Sequence, residues 1–530
     1  MADRKSNVQF YSLAFIAFLA LALIAYYAVG RIAGKGQWIV LLVASLAFYA
    51  YTGITHFIFI GFTALTTWAA GLAFAHINAQ TKEARKAAAD ADAKKAAKKR
   101  GTTRKRLVLA AALLANFGIL AYIKYATVLV GYFAPGSGWK AGILLPLGIS
   151  FYTFQTISYV IDTYNGKYEP ERNFAKYLLF ASFFPQLIQG PINRFDALAH
   201  QLYERHELDW YNIRRGLVQA GYGLLKAYAI GNVLVKCLNP ILDNINASTP
   251  GSLIVFGILL YAIYQYADFS GGIDMVLGFA KMFGIEMAPN FRQPYFSISL
   301  GDFWRRWHIT LGAWMRDYIF YPFALLPGVR AWGKWLTAHC GQHIGRMLPA
   351  CVANIIVFFV VGLWHGAESH FILWGLYNGL VIAASDLLTP LWDRMNKALH
   401  VNMEGRAHHV FCIVRTFIVV NIGWYFDRIV DFGDVLTAFH NTLFNFDFAH
   451  FASTFLMLTA DQRYGGLALA ACGTLVVFVI SVLKENGIDV AGKLLAAPAI
   501  VRGLAWAGIV LFVVTSFAFS SGGGFMYANF

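Results

Sequence analysis

Apolar runs long enough to cross a lipid bilayer recur along almost the whole chain. A membrane-spanning helix needs roughly 20 predominantly apolar residues, and hydrocarbon tolerates only helices or closed barrels. The runs do not alternate between apolar and polar residues, and charged residues make up only 13% of the chain. We therefore predict an all-α polytopic membrane protein with about eleven to thirteen membrane helices. The runs lie near residues 9–29, 38–52, 54–75, 107–133, 141–162, 174–192, 211–237, 251–284, 348–363, 370–390, 410–431, 464–484 and 502–520.

One basic segment accounts for more than half of the net charge of +15. Residues 81–106 contain eleven basic and three acidic residues. Short basic loops stay in the cytoplasm, so we predict a basic cytoplasmic loop here, with some attraction to anionic membrane lipid. Three helices precede it, which places the N-terminus outside, although Arg4 and Lys5 argue mildly against that. No aromatic residue interleaves the basic run, and we expect no nucleic-acid partner.

Motifs of several other enzyme classes are missing from the sequence. It contains no P-loop, GxGxxG or GxSxG element, so nucleotide-driven pumping and serine-hydrolase chemistry have no support. The five cysteines are scattered, without the spacing of a disulfide framework. His339 and His343 are four residues apart beside Cys340, but the glutamate of HExxH is missing, and we expect no metal site. Because no repeat is evident, we expect a single domain over residues 1–530.

Two stretches interrupt the apolar pattern and predict broken helices. In residues 174–195, Pro185 and Pro191 make one straight helix unfavourable. Further along, Asp268 and Ser270 precede a Gly-Gly pair, and either side chain could cap a half-helix that restarts there. A direct ligand role for Asp268 is the alternative, because buried carboxylates in membranes are costly and often functional.

Residues 302–323 have the periodicity of an amphipathic helix rich in Trp and Arg, which is typical of a membrane interface. His308 lies at the border of its two faces, a position more typical of packing than of catalysis. The apolar arc contains Phe303, Trp304, Trp307, Leu311, Trp314, Met315 and Tyr318, and the polar arc contains Asp302, Arg305, Arg306, Thr310, Arg316 and Asp317.

His365 lies inside an otherwise apolar stretch. Residues 352–388 are too long for one span, and residues 362–369 are their natural break. An ionisable residue near such a break, deep in the membrane, is a candidate functional residue. The alternative is a buried neutral imidazole held by one hydrogen bond. A neutral imidazole in an apolar site can also accept the proton of a hydroxyl as a general base.

Five blocks between residues 145 and 379 carry family motifs. They are LPLGISFYTFQTISYVIDTY, ERNFAKYLLFASFFPQLIQGPINR, DFSGGIDMVLGFAKMFGIEMAPNFRQPY, DFWRRWHITLGAWMRDYIFYPF and GLWHGAESHFILWGLYNG. In this order they resemble the bacterial branch of the membrane-bound O-acyltransferase (MBOAT) family, which includes alginate O-acetylation and teichoic-acid D-alanylation membrane proteins. WRRWHIT followed by GLWHG is the most specific part. Alginate-type members usually read DFSGYSDM where this chain reads DFSGGIDM, which weakens an inference to alginate itself.

The resemblance implies a ring of helices around a central tunnel, with 145–379 as the signature core. His365 matches the family's catalytic histidine at a constriction, and His308 matches the second polar residue of the reaction chamber. The helix of residues 302–323 would wall the inner mouth, where its arginines could meet donor phosphates. Either His308 or the indole N–H of Trp364 could stabilise the oxyanion. The residues that we expect to bind substrates are Trp364, Trp304, Trp307, Arg305, Arg306, Asp302 and Asp268.

The resemblance also implies an O-acyltransferase of the cytoplasmic membrane without a bound cofactor. Acetyl-CoA or an acyl-carrier phosphopantetheine thioester would donate an acyl group, with acetyl as our first expectation. The acceptor would be a hydroxyl of an exported or cell-envelope polysaccharide, reached with the help of an extracytoplasmic acyltransferase partner. Two alternatives are D-alanyl transfer toward teichoic acid and a non-catalytic transporter of acyl groups or lipids.

Overall fold

A computed structural model describes residues 10–517, with gaps at residues 11, 54–55, 135, 137–145, 147, 188 and 459–463. This described part is helical, and its one β-type pairing is an isolated antiparallel bridge between Phe291 and Trp307. Arg4, Lys5 and part of the predicted run at 141–162 lie outside the described residues, as does the start of the block at 145–164. The prediction of an all-α fold is confirmed.

The described residues form 24 α-helices. Residues Leu225–Gly231 and Arg316–Phe320 are π-helical, and Pro294–Phe296 form a 3₁₀ turn. The α-helices are α1 (Leu13–Ala33), α2 (Gln37–Thr52), α3 (His56–Lys86), α4 (Ala91–Phe133), α5 (Ile149–Asn165), α6 (Phe174–Ser182), α7 (Phe184–Leu187), α8 (Phe195–Tyr203), α9 (Trp210–Leu224), α10 (Asn232–Leu242), α11 (Gly251–Met282), α12 (Leu300–Arg306), α13 (Ile309–Met315), α14 (Tyr321–Ala324), α15 (Pro327–Cys340), α16 (Gln342–His365), α17 (Ser369–Leu387), α18 (Thr389–Ala398), α19 (Arg406–Arg428), α20 (Phe432–Phe444), α21 (Phe451–Leu458), α22 (Tyr464–Glu485), α23 (Val490–Ala496) and α24 (Ala499–Phe517).

Several of these helices are long and apolar enough to cross a membrane. Among the described residues there are eight, or nine if the pair α17 and α18, bent by 57°, forms one span. The chain is therefore a multi-pass membrane protein, while the larger number of eleven to thirteen spans stays a prediction. The eight are α1, α3, α4, α11, α16, α19, α22 and α24.

The basic segment at residues 81–106 is mostly helical, which differs from the loop that we expected. α3 continues through Lys86, and α4 begins at Ala91 after Asp90 accepts a hydrogen bond from the Ala93 N–H as its N-cap. A short turn therefore joins two long helices. The cytoplasmic placement of the segment stays a prediction.

The chain groups into two compact units, so the assignment to one domain stays a prediction. The first unit contains the described residues of Met1–Ala220 and Met275–Ala288. The second contains Gly221–Asp274 and the described residues from Pro289 onward. Both histidines of interest belong to the second unit.

In the first unit, the break predicted at residues 174–195 is confirmed. α6 ends at Ser182, the short α7 follows, and the chain is not helical again until α8. The side-chain amide of Gln186 donates to the Phe180 carbonyl at 2.7 Å and accepts from Asn193 at 3.1 Å. A buried side chain therefore replaces hydrogen bonds that the broken helix has lost.

In the second unit, the break that we expected near Asp268 is wrong. α11 continues without interruption past Ser270 and the Gly-Gly pair. A Cβ atom at Gly271 would lie 2.7 Å from the backbone nitrogen of Ala227. The glycine therefore permits a close approach of the π-helical segment Leu225–Gly231 rather than a break in its own helix.

Residues 302–323 do not form the single helix that their periodicity predicts. α12 ends at Arg306, Trp307 is extended, and His308 has a left-handed backbone with φ 47° before α13 begins. The predicted apolar side of the segment is nevertheless buried, as Phe303, Leu311 and Trp314 show. The periodicity therefore predicts which side of the segment is buried, but it does not predict that the helix is interrupted.

Backbone hydrogen bonds to a preceding loop explain this interruption. The Ile309 N–H donates to the carbonyl of Asn290 at 3.0 Å, and the Arg292 N–H donates to the carbonyl of Arg306 at 2.9 Å. These bonds replace helical ones, because buried backbone N–H and C=O groups need hydrogen-bond partners.

α16 and α17 form the helix pair that carries His365. A Cβ atom at Gly375 would overlap the carbonyl oxygen of Phe358, and one at Gly362 would overlap the carbonyl of Phe371. Small residues let helix backbones approach this closely, and close packing drives helix association in membranes.

We predict that Gly375→Ala destabilises the protein by about 1–3 kcal/mol, because the new methyl group must displace backbone rather than a flexible side chain. Gly508→Ala in α24 is the control, since among the described residues no heavy atom outside its own stretch of helix lies within 4 Å of its Cβ position. That control should gain up to about 1 kcal/mol from helix propensity. Thermal unfolding of the detergent-solubilised proteins measures both. Equal midpoints for Gly375→Ala and the native chain would contradict the prediction.

Candidate active site

His365 is the last residue of α16, at the break that the sequence predicts. α16 ends there, and α17 begins at Ser369 after Glu368 as N-cap residue. The His365 side chain is buried, with 7% of its surface exposed. The chain therefore places this imidazole at an interruption between two closely packed helices.

Aromatic rings enclose His365. The ring centroids of Trp364 and Trp374 lie 4.8 and 4.9 Å from that of His365, both edge-on, and Phe371 stacks at 5.7 Å. Such surroundings keep bulk water away from the imidazole. A neutral imidazole is the form that can accept a proton.

His308 occupies the interruption between α12 and α13. Its left-handed backbone is uncommon for a residue other than glycine, and such strain often marks a functional position. Its ring packs edge-on against Phe269 at 4.8 Å, and its Nδ1 lies 3.2 Å from Oδ1 of Asn290. Burial lowers the pKa of His308 to about 3. The side chain is therefore neutral at physiological pH.

The hydrogen bonds of Asn290 define the tautomer of His308. The Thr310 backbone N–H and hydroxyl donate to Oδ1 of Asn290 at 3.0 and 2.9 Å. Because a backbone N–H can only donate, the accepting atom must be the amide oxygen. The Nδ1 of His308 that contacts the same oxygen is therefore protonated, and Nε2 carries the lone pair.

Trp364 brings the two histidines into one site. Its ring lies 4.8 Å from that of His365 and 6.0 Å from that of His308. The sequence separates these histidines by 57 positions, and the structure places both against one indole. The site therefore holds two buried imidazoles and an indole N–H, which are groups that can accept and donate protons in a reaction.

Trp304 and Trp307, which we expected to bind substrate, take part in aromatic packing. The Trp304 indole N–H donates to Asn378 at 3.0 Å, and its ring packs on Trp374 at 5.5 Å. Trp307 is buried against Phe303 at 5.4 Å. Trp304 therefore supports a ring that touches His365, and substrate contact by either tryptophan stays a prediction.

The charged residues of α12 form a small network. Arg306 makes two hydrogen bonds to Glu485, at 2.8 and 2.9 Å, and lies 3.1 Å from a carboxylate oxygen of Asp302. Arg305 lies 3.6 Å from Asp302 and leaves 71% of its side chain exposed. Of these two arginines, Arg305 is therefore better placed to meet a donor phosphate.

Asp268 is buried on α11 and lies against Gly231 at the end of the π-helical segment. A ligand role for it stays a prediction.

Sequence reasoning missed Asn290 and Thr310. Asn290 lies in the loop between α11 and α12, within a block that the family resemblance already contained. A buried loop asparagine before an aromatic segment is a weak signal, because its partner lies 18 residues away.

The histidines of the AHCGQH stretch make local contacts. The ring nitrogens of His339 and His343 lie 2.8 and 3.1 Å from the backbone carbonyls of Trp335 and Leu387. No group of three or more His, Cys, Asp or Glu side chains suited to a metal ion occurs in the described part of the chain.

The sequence is similar to those of known proteins. A model of the MBOAT, membrane-bound O-acyltransferase family matches residues 170–417, which include both histidines. The chain is 31% identical over 421 residues to a probable alginate O-acetylase AlgI of Pseudomonas syringae pv. tomato, covering 78% of this chain and 70% of that protein.

Two further relatives carry other names. A peptidoglycan O-acetyltransferase of Helicobacter pylori is 30% identical over 357 residues, covering 61% of this chain and 62% of that protein. A teichoic acid D-alanyltransferase of Bacillus subtilis is 28% identical over 286 residues, covering 53% of this chain and 67% of that protein. The chain therefore belongs to the membrane-bound O-acyltransferase family and is an O-acyltransferase.

Proposed function

We propose that this enzyme moves an acetyl group from a cytoplasmic thioester across the membrane toward a hydroxyl of an exported or cell-envelope polysaccharide. The observation that carries the proposal is the placement of His308 and His365 against one indole in a buried aromatic site. Relatives named as an alginate O-acetylase and a peptidoglycan O-acetyltransferase support the acetyl group and the polymer acceptor.

In the proposed reaction, His365 accepts the proton of the acceptor hydroxyl while its oxygen bonds to the thioester carbonyl carbon. The tetrahedral intermediate then collapses, the carbon–sulfur bond breaks, and the leaving thiolate takes the proton from the imidazolium. His365 returns to its neutral form, and no covalent acyl-enzyme is required. The aromatic enclosure keeps competing water away from the thioester.

His308 and Trp364 have complementary roles in this proposal. Because Nε2 of His308 carries the lone pair, it can accept a hydrogen bond from a neighbouring hydroxyl of the acceptor sugar and so orient the attacking oxygen, whose own proton goes to His365. The Trp364 indole N–H can only donate, so it is the better candidate for stabilising the oxyanion. This revises the expectation that either side chain could do so.

The donor would be acetyl-CoA or an acyl-carrier phosphopantetheine thioester, whose phosphates the exposed Arg305 could meet. The acetyl group would continue to its polymer through an extracytoplasmic acyltransferase partner. D-alanyl transfer toward teichoic acid is the second candidate, supported by the relative named for that activity.

We predict that His365→Gln lowers acyl transfer by about 10²–10⁴-fold, the usual contribution of a general base. Glutamine retains hydrogen bonding but cannot take up the proton. His370→Gln is the control, because His370 is a buried histidine in the next helix whose ring contacts the Phe426 carbonyl at 3.3 Å. Ester-linked groups released from cell envelopes by mild base measure the activity at matched protein levels. Equal loss in both variants would mean that His365 acts through packing.

The same assay distinguishes the acyl groups. We expect acetate to disappear from the released material in His365→Gln cells, with D-alanine unchanged. Loss of D-alanine with acetate unchanged would establish the second candidate instead.

We predict that Asn290→Asp makes activity sensitive to acid. A carboxylate beside Nδ1 favours the imidazolium and raises the pKa of His308 from about 3. As the pH falls through the raised pKa, Nε2 gains a proton and can no longer accept a hydrogen bond from the neighbouring hydroxyl of the acceptor sugar. The rate should therefore fall at a higher pH than in the native enzyme.

The control for this variant is Asn116→Asp, which places a carboxylate at another buried asparagine, on α4. We measure kcat for both variants and the native enzyme across the same pH range. We expect Asn116→Asp to show the native dependence of kcat on pH. An unchanged profile for Asn290→Asp would show that Asn290 does not position His308.

A further inference from the structure

A cavity of about 490 Å³ lies in the second unit, separate from the histidine site. Its walls come from α11, α19, α22 and the segment Gln293–Phe296, and they are almost entirely apolar. Cavities of this size are typical of ligand sites. Neither histidine nor Trp364 lines it.

The cavity reaches the apolar outer surface of the unit. Two of its lining residues, Val410 on α19 and Phe478 on α22, are more than half exposed. α19 and α22 are both long and apolar enough to span a membrane. Exposed apolar side chains on such helices meet lipid, so a lipid chain can enter without crossing water.

One end of the cavity is polar. Tyr266 and Ser481 line it with their hydroxyl-bearing side chains, and the Lys226 Nζ lies 5.4 Å from the centroid of the Tyr266 ring. Behind these groups, Lys226 lies 2.6 Å from a carboxylate oxygen of Asp274 and 2.8 Å from the Ser270 hydroxyl. This buried pair neutralises itself and stabilises the polar end.

Lys484 adds a positive charge at the same end. It follows Ser481 by three residues on α22 and lies 4.9 Å from the centroid of the Tyr222 ring. Among the described residues no carboxylate forms an ion pair with it, and the neighbouring Glu485 is bound to Arg306. Lys484 also lies in the last turn of its membrane helix, where lipid headgroups are found.

The length of the cavity along α22 matches the hydrocarbon thickness of one bilayer leaflet. The face of α22 that lines the cavity runs from Thr474 to Ser481, and Lys484 is one turn further. Ten residues of α-helix rise about 15 Å, which is half of a hydrocarbon core of about 30 Å.

We propose that this cavity is a binding site for one anionic phospholipid, with an acyl tail along Thr474, Val477 and Phe478 and the phosphate beside Lys484. The apolar walls select a hydrocarbon chain, and the uncompensated lysine selects a negative headgroup. Phosphatidylglycerol meets both requirements, and a zwitterionic lipid with the same tails meets only the first.

The test uses the purified full-length chain in mild detergent, with native mass spectrometry to count retained lipids. Phosphatidylglycerol and phosphatidylcholine with identical tails are supplied in competition. We expect one retained lipid and a preference for phosphatidylglycerol. Lys484→Gln should reduce that preference about fivefold, the effect of one lysine near a lipid surface. Lys493→Gln, at another exposed lysine, should leave the preference unchanged.

A second variant tests the tail site. Val477→Trp fills the cavity and should abolish retention of both lipids, whereas Leu475→Trp, on the lipid-facing side of the same helix, should not. Equal retention of the two lipids by the native chain would overturn the assignment of the headgroup. Undiminished retention by a monodisperse Val477→Trp protein would overturn the site itself. The lysine variant remains informative if the tryptophan variant fails to fold.

Discussion

The geometry of the active site depends on the hydrogen bonds between the 290–292 loop and the segment from Arg306 to Thr310. Where its backbone is buried, a helix can be interrupted only if protein or water satisfies the N–H and C=O groups that the interruption releases. Here the loop backbone satisfies two of them, and the Asn290 side chain satisfies the Thr310 N–H. The same amide oxygen accepts a hydrogen bond from Nδ1 of His308, so the ring proton lies on Nδ1. One short loop therefore replaces the hydrogen bonds that the interrupted helix loses. It also determines which ring nitrogen of His308 can accept a hydrogen bond.

Much of the fold follows from the lengths of the apolar runs and from helix-breaking residues, both of which are visible in the sequence. The apolar runs predicted an all-helical membrane protein, and the excess length of residues 352–388 located the interruption beside His365. Two prolines located the break between α6 and α8. In each case the determining residues are neighbours in the sequence, so periodicity and helix-breaking residues were sufficient.

The features that the sequence did not reveal depend on partners far away along the chain. Local pattern cannot tell whether Gly271 breaks its own helix or admits the backbone of Ala227. It cannot show that Phe291, in a loop 16 residues upstream, will pair with the chain at Trp307. For the same reason the family resemblance indicated both histidines, while Asn290, which orients one of them, was missed. The contact between the rings of Trp374 and His365 could likewise not be predicted from periodicity.

The length of α4 has a consequence for its many lysines and arginines. Its 43 residues measure about 65 Å, roughly twice the hydrocarbon thickness of a bilayer. The basic part precedes Leu107 and extends about 24 Å along the helix axis, whereas at physiological salt charges are screened within about 8 Å. With Leu107 at the bilayer surface and α4 along the membrane normal, a rod of this length would carry Lys94 and Lys95 out of electrostatic range of the lipid phosphates. Only the charges nearest Leu107 would then act on the bilayer, and those at the tip would interact with ions and solutes in the water beyond it.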